Sequence, residues 1–228
     1  MDHLSSLPPE ALIEAKRMER MKQWEEKLKQ LDEVKDTQGK GVEPGIKETV
    51  AVFQLLGLPT KQSCEGHINE PGRPYPWVRF QSTGAMPQKY DESKLQALAD
   101  TYQVPREDLF ELPKDQPVVQ DFLRHEKEFF NPKFQEWVSA NEAIANRVEA
   151  LLSDYYMATE NTISKMLVVK RNEAGVSDLT IGPNFLGEKV TSQDINPQEL
   201  SQYQERLNVY QEAVKSFTEY LKTQFMSN

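Results

Sequence analysis

Apolar residues recur at helical spacing near the N-terminus, within a stretch that is otherwise rich in Lys and Glu. Intervals of three or four residues give one narrow apolar stripe, which predicts an amphipathic helix over about residues 8–35. We expect the stripe to dock on the rest of the chain or on a second copy. The chain is therefore divided into a helical arm, residues 1–38, and a single α+β domain, residues 42–228. The stripe consists of Met21, Trp24, Leu28 and Leu31.

The longest helical repeat lies at the C-terminus. Asn196 and Pro197 are typical of a helix cap and first turn, and an acidic residue follows at Glu199. Apolar residues then alternate at intervals of three and four, which predicts a long helix over residues 197–225 with an antiparallel neighbour. The preferred neighbour lies within a helical region at 117–157. The seam consists of Leu200, Tyr203, Leu207, Tyr210, Val214, Phe217 and Leu221.

Shorter stretches with alternating apolar and polar residues predict strands. Two of them, 60–64 and 77–81, flank a loop rich in Gly and Pro. Two more, 165–171 and 176–182, are separated by a short turn that ends in glycine, which predicts a hairpin. The expected fold class is α+β: a small mixed or antiparallel sheet of about four strands, flanked by helices, with long antiparallel helices.

Composition narrows the class of protein. The chain has 228 residues, of which 38% are hydrophobic, and this is enough for a folded core. A formal net charge of −9 argues against a protein that binds duplex nucleic acid. The single cysteine excludes an internal disulfide and favours a reducing compartment. Because the chain also lacks a signal-peptide pattern and a long apolar stretch, we expect a cytoplasmic protein with no membrane span.

One segment concentrates reactive side chains where a predicted strand enters a loop. Residues 61–67 read Lys-Gln-Ser-Cys-Glu-Gly-His and include the only cysteine. Loops held by a rigid scaffold often carry binding groups, and a glycine lets backbone approach a ligand closely. Nearby arginines and a tryptophan add charge and a flat ring, so we expect a pocket for a small anionic or aromatic ligand. The expected ligand-binding residues are Lys61, Ser63, Gly66, Arg73, Trp77 and Arg79.

Three chemical interpretations of this segment remain open beside a purely structural one. Cys64 is a candidate nucleophile, activated by His67. The same two residues are candidate metal ligands if Glu65, Glu70 or His125 completes the set, although no metal ligand is assigned. Glu65 and His67 are a candidate acid–base pair. Alternatively, Cys64 is a small buried side chain and its neighbours bond only to the loop backbone. The candidate catalytic residues are Cys64, Glu65 and His67.

Residues 45–81 resemble a group of uncharacterised bacterial proteins. Members share a helix, a Ser-Cys-Glu-Gly-His turn and a strand that begins Pro-Trp-Val or Pro-Trp-Ile. Here the turn is residues 63–67 and the strand begins at Pro76. A more local resemblance is to the tRNA wybutosine-synthesising methyltransferase family, whose turn reads Ser-Cys-Ser-Gly-Arg. Because Glu65 and His67 replace the second serine and the arginine, this resemblance implies the local fold only.

The sequence leads to two hypotheses about function. The first is a cytosolic small-ligand-binding protein or small enzyme, with its pocket at the loop of residues 63–67 and an unknown cofactor, if any. The alternative is a non-catalytic scaffold or interaction protein that acts through its N-terminal and C-terminal helices, for example as a homodimer.

Overall fold

The structure, a computed structural model, describes residues 8–68, 73–159, 166–183 and 199–227. These residues form six α-helices and one four-stranded sheet, which confirms the expected α+β class. The helices are α1 (Pro9–Glu33), α2 (Pro44–Leu55), α3 (Glu92–Thr101), α4 (Pro117–Arg124), α5 (Pro132–Ala158) and α6 (Leu200–Ser227). The strands are β1 (Thr60–Cys64), β2 (Trp77–Phe80), β3 (Leu167–Arg171) and β4 (Ser177–Ile181).

The sheet is antiparallel throughout, and its strand order is β1-β2-β4-β3. Two hairpins, β1–β2 and β3–β4, are therefore joined side by side through β2 and β4. In this central pairing Trp77 lies opposite Thr180, and Arg79 lies opposite Asp178. The sequence predicts the β3–β4 hairpin and the separate strands β1 and β2, but it contains no signal for the pairing of β2 with β4. The junction places charged side chains of two distant segments on one face of the sheet.

The main core lies on the other face of the sheet, beneath α2 and α5. Phe53 of α2 is fully buried at its centre. Its ring meets Phe80 of β2 edge-on, with centroids 4.8 Å apart, and lies 6.0 Å from the ring of Phe217 on α6. One side chain thus connects the sheet, α2 and the C-terminal helix.

The apolar stripe of α1 docks on its own chain. Trp24 and Leu31 are buried against α2 and α6, whereas Met21 stays 48% exposed. The ammonium group of Lys222 on α6 lies 4.5 Å from the centroid of the Trp24 ring. Because the stripe is covered within one copy of the chain, it does not favour the expected homodimer, which stays a prediction.

The C-terminal helix buries its seam from Leu207 to Leu221, while Leu200 is 40% exposed. It meets α5 at Tyr155, whose hydroxyl donates a hydrogen bond of 2.8 Å to Ser216. Its most extensive packing, however, is against α2. The expected helix start at Asn196 and Pro197 lies outside the described residues.

The expected helical region at 117–157 consists of two helices separated by a break. Helix α4 ends at Arg124, a short 3₁₀ segment follows, and α5 begins only at Pro132. The break arises because Asn131 caps α5 and Phe130 bridges to Tyr90. This bridge joins the two ends of a segment, roughly residues 90–130, that has an apolar cluster of its own. The cluster comprises Leu95, Leu98, Leu109, Val118 and Phe122. Among the helices described, none has the length and apolar character needed to cross a membrane.

Candidate functional site

The turn after β1 passes through a crowded point at Gly66. Its backbone is left-handed, with φ +86°. A Cβ atom there would lie 2.7 Å from the carbonyl carbon of Tyr75 and 2.8 Å from the side chain of Leu207. Gly66 is therefore needed for close packing within the chain. The sequence predicts that the backbone at Gly66 approaches a ligand closely. In the structure, the groups that lie close to Gly66 are Tyr75 and Leu207 of α6.

Glu65 ties this turn to two helices. Its carboxylate accepts a hydrogen bond of 2.6 Å from the backbone N–H of Gly45, in the first turn of α2. A negative charge at this position is favourable because the N-terminus of a helix carries partial positive charge. The carbonyl of Glu65 accepts a second bond, of 3.0 Å, from the side chain of Gln211 on α6. The carboxylate thus bonds to α2, and the acid–base pairing with His67 gains no support from this geometry.

The partner of His67 is Glu43, the residue immediately before α2. The Nε2 atom of His67 lies 2.6 Å from one carboxylate oxygen of Glu43. The other oxygen accepts a bond of 2.6 Å from the backbone N–H of Glu65. Both side chains are partly buried, at 26% and 33% exposure. No pattern in the sequence links Glu43 to His67, because the two residues are more than twenty positions apart.

Cys64 completes a group of three potential metal ligands. Its sulfur atom, a carboxylate oxygen of Glu43 and a ring nitrogen of His67 all lie within 4.8 Å of one another. Across the residues that the structure describes, this is the sole group of three such side chains so close together. The alternatives of the sequence analysis are not part of it: Glu70 lies outside the described residues, and His125 pairs with Asp121.

The Cys64 thiol is not activated as a nucleophile. Burial raises its pKa to about 11, and the negative charges of Glu43 and Glu65 act in the same direction. The backbone N–H of Gly66 donates a bond of 3.3 Å to the sulfur, which opposes the shift without cancelling it. The side chain of His67 faces Glu43 rather than serving as a base for Cys64. At neutral pH the metal-free side chain is therefore a protonated thiol.

Alkylation of the metal-free protein by iodoacetamide tests this state. Because the pKa of Cys64 rises from 9.0 to about 11 on folding, the native thiol holds roughly 100-fold less thiolate at about pH 7.5. We expect the native protein to react about 10- to 100-fold more slowly than the same protein in urea, because only the thiolate reacts and a thiolate of higher pKa is the stronger nucleophile. The native rate should keep rising with pH towards 11. A native rate equal to the unfolded one, or a plateau below about pH 9, would contradict the assignment.

Three predicted ligand-binding residues line a cleft beside β1. No described strand pairs with the outer edge of β1, and the segment that connects α1 with α2 faces this edge across an open space of about 580 Å³. We call this space the edge cleft. Its lining residues include Leu31, Val34, Lys35, Asp36, Lys40, Val42, Val50, Lys61, Ser63 and Trp77.

The two predicted arginines lie in a different place. Arg79 binds Asp178 through two hydrogen bonds of 2.8 and 3.0 Å, and Arg73 adds a third of 3.1 Å. Both guanidinium groups also stack on the ring of Trp77, at 5.0 and 5.4 Å from its centroid. With Lys170 they border a second opening of about 300 Å³, here called the basic cleft.

Asp178 is a functional candidate that sequence reasoning missed, because it occurs in a predicted apolar strand. Burial alone would raise the pKa of its carboxyl group, but the hydrogen bonds from Arg79 and Arg73 outweigh burial and lower it. Asp178 is therefore ionised at neutral pH and offsets part of the positive charge of the two arginines. The basic cleft is thus less attractive to a second anion than its arginines alone suggest.

The predicted site residues thus fall into three neighbouring places. Cys64 and His67 meet Glu43, the set of Lys61, Ser63 and Trp77 lines the edge cleft, and both arginines border the basic cleft. No protein-family model, curated protein or solved structure matches the chain. Function is therefore argued from this geometry.

Proposed function

We propose that the protein is a cytosolic binder of a small anionic ligand with an aromatic or other planar group, held in the edge cleft. The observation that carries the proposal is that Lys61, Ser63 and Trp77 line one opening of about 580 Å³. Ligand pockets commonly have volumes of about 300–1,000 Å³, so the cleft has room for a metabolite-sized molecule.

Trp77 adds a fixed aromatic side chain to the lining of the edge cleft. Its side chain is partly buried, and its ring is held by the guanidinium groups of Arg73 and Arg79. A rigid aromatic ring loses little conformational freedom when a planar group packs on it. Apolar side chains on the opposite wall, among them Leu31 and Val34, support the same choice of ligand.

The charge of the edge cleft selects for an anion. Among the described residues that line it are three lysines, Lys35, Lys40 and Lys61, and one carboxylate, Asp36. The whole chain carries −9. A positive cleft in an acidic protein favours a negatively charged ligand locally. Ser63 adds a hydroxyl group that can donate to, or accept from, the ligand.

A fluorescence titration with 8-anilinonaphthalene-1-sulfonate, an anionic aromatic probe, tests this proposal. We expect saturable binding to the native protein. The Lys61→Ala variant should bind at least about fivefold more weakly, because it loses a charge worth about 1 kcal/mol at the cleft. The matched control is Lys170→Ala, which removes a lysine from the basic cleft instead. Its affinity should equal that of the wild type.

Two results would overturn the proposal. One is binding that does not saturate while circular dichroism shows a folded protein. The other is loss of affinity in Lys170→Ala with none in Lys61→Ala, which would assign the probe to the basic cleft.

A further inference from the structure

The group formed by Glu43, Cys64 and His67 combines three different donor atoms. They are a carboxylate oxygen, a sulfur and an imidazole nitrogen, all within 4.8 Å of one another. Each residue comes from a different part of the fold: Glu43 caps α2, Cys64 ends β1, and His67 follows the turn. The spacing of Cys64 and His67 alone supplies only two ligands. The third comes from tertiary structure.

The three atoms lie within 4.8 Å of one another, so a tetrahedral zinc site requires only small movements of their side chains. Zinc bonds of about 2.3 Å to sulfur and about 2.0–2.2 Å to nitrogen or oxygen imply ligand atoms about 3.4–3.6 Å apart. The hydrogen-bonded pair of Glu43 and His67 is now 2.6 Å apart. It must open by about 0.8 Å to admit an ion, which rotation of a partly exposed side chain can supply.

Two backbone N–H groups already donate hydrogen bonds to Glu43 and Cys64, the two proposed ligands that must be negatively charged to bind zinc. The N–H of Glu65 donates to the second carboxylate oxygen of Glu43, at 2.6 Å, and leaves the first one directed at His67. The N–H of Gly66 donates to the sulfur of Cys64, at 3.3 Å. Such outer contacts orient metal ligands and stabilise their charged forms. Both amides belong to a turn that is itself fixed by α2 and α6.

We propose that Glu43, Cys64 and His67 bind a zinc ion, with a fourth position open to water or a small ligand. A mixed set of sulfur, nitrogen and oxygen suits zinc, whereas magnesium and calcium require oxygen ligands. On binding, the thiol of Cys64 releases its proton to solvent, and the imidazole of His67 binds through Nε2 with its proton on Nδ1. The site goes beyond the proposed function and does not depend on the edge cleft.

Cobalt(II) and zinc titrations of the full-length, chelator-treated protein test the proposal. We expect one equivalent of cobalt to bind and to produce the near-ultraviolet charge-transfer absorption that is characteristic of a thiolate bound to cobalt. Zinc should displace it stoichiometrically, and native mass spectrometry should show one zinc per chain. Zinc should also raise the melting temperature, because an ion that binds only the folded state stabilises it.

Variants separate a zinc site from a cluster held only by hydrogen bonds. Cys64→Ser should abolish the charge-transfer band, and Glu43→Gln and His67→Gln should each weaken zinc binding at least about 100-fold. The matched control is Glu48→Gln, which changes a carboxylate on α2 that pairs with Lys222 and removes no proposed ligand. It should bind zinc with the affinity of the wild type.

Each outcome bears directly on the proposal. Absence of bound cobalt and zinc in the folded wild-type protein would overturn it, and the three residues would then form a hydrogen-bonded cluster only. Zinc binding that persists in folded Cys64→Ser and His67→Gln would overturn it as well. Circular dichroism of every metal-free variant verifies the fold, so that loss of binding is not mistaken for unfolding. Failure of the probe titration in the edge cleft would leave these results unchanged.

Discussion

Replacing Gly66 with alanine is expected to lower the free energy of unfolding by about 2–5 kcal/mol. An alanine held at φ +86° costs about 1–2 kcal/mol in backbone strain. Its Cβ would also lie 2.7 Å from the backbone of Tyr75 and 2.8 Å from Leu207. Forcing an extra carbon into a packed site costs about 1–3 kcal/mol more, and here one of the neighbours is backbone, which yields less easily than a side chain. Urea unfolding monitored by circular dichroism measures the total.

The matched control for this substitution is Gly39→Ala. Gly39 has a similar φ of +79°, but an added Cβ would meet nothing within 4 Å. The free energy of unfolding of Gly39→Ala should therefore fall only by the cost of the backbone strain, about 1–2 kcal/mol. Equal losses in the two variants would show that the close approach of Tyr75 and Leu207 contributes nothing. A larger loss at Gly66 would show that packing holds the turn between two of the proposed zinc ligands, Cys64 and His67.

Replacing Phe53 with alanine is expected to cost about 3–5 kcal/mol, the range typical of a buried aromatic residue in a core. Phe53 is fully buried and contacts the rings of both Phe80 and Phe217. Its removal leaves a cavity where the sheet, α2 and α6 meet, and these elements cannot close it without moving apart elsewhere. The loss should appear as a lower urea midpoint with an unchanged slope.

Two further variants at aromatic positions check that the loss of buried volume in the core causes the destabilisation. Phe53→Leu keeps most of the volume and should cost less, about 1–2 kcal/mol. Phe110→Ala removes a phenylalanine that is 51% exposed in the segment of residues 90–130. It should lower the free energy of unfolding by about 1 kcal/mol or less. If Phe53→Ala were no more destabilising than Phe110→Ala, Phe53 could not be the connection between the three elements.

The candidate zinc site and the edge cleft are positioned by the same pair of strands. Cys64 and Trp77 lie opposite each other at the end of the β1–β2 pairing. The side chain of Cys64 meets Glu43 and His67, and Trp77 lines the edge cleft. A change in the register of β1 would therefore displace both sites together, which makes Gly66 and the register of β1 important for each proposal.

Local structure could be predicted from the sequence because its causes lie within a few residues of each other. The bounds of β1 agree with the prediction from alternation, and Asp91 caps α3 through bonds to the N–H groups of Ser93 and Lys94. The turn before β4 ends, as predicted, in a left-handed glycine, Gly175 with φ +74°. Periodicity, capping and turn chemistry are short-range effects, so one sequence displays them.

Tertiary structure alone decided the composition of the candidate sites. The pairing of β2 with β4 brings Asp178 to Arg73 and Arg79, and these three residues border the basic cleft. Docking of the start of α2 on the turn after β1 brings Glu43 to Cys64 and His67. The sequence by itself determined most of the elements and the seam of α6, and it indicated residues 61–67 as a candidate site. It could not determine these partners, because contacts between distant segments depend on how whole elements pack and leave no periodic trace along the chain.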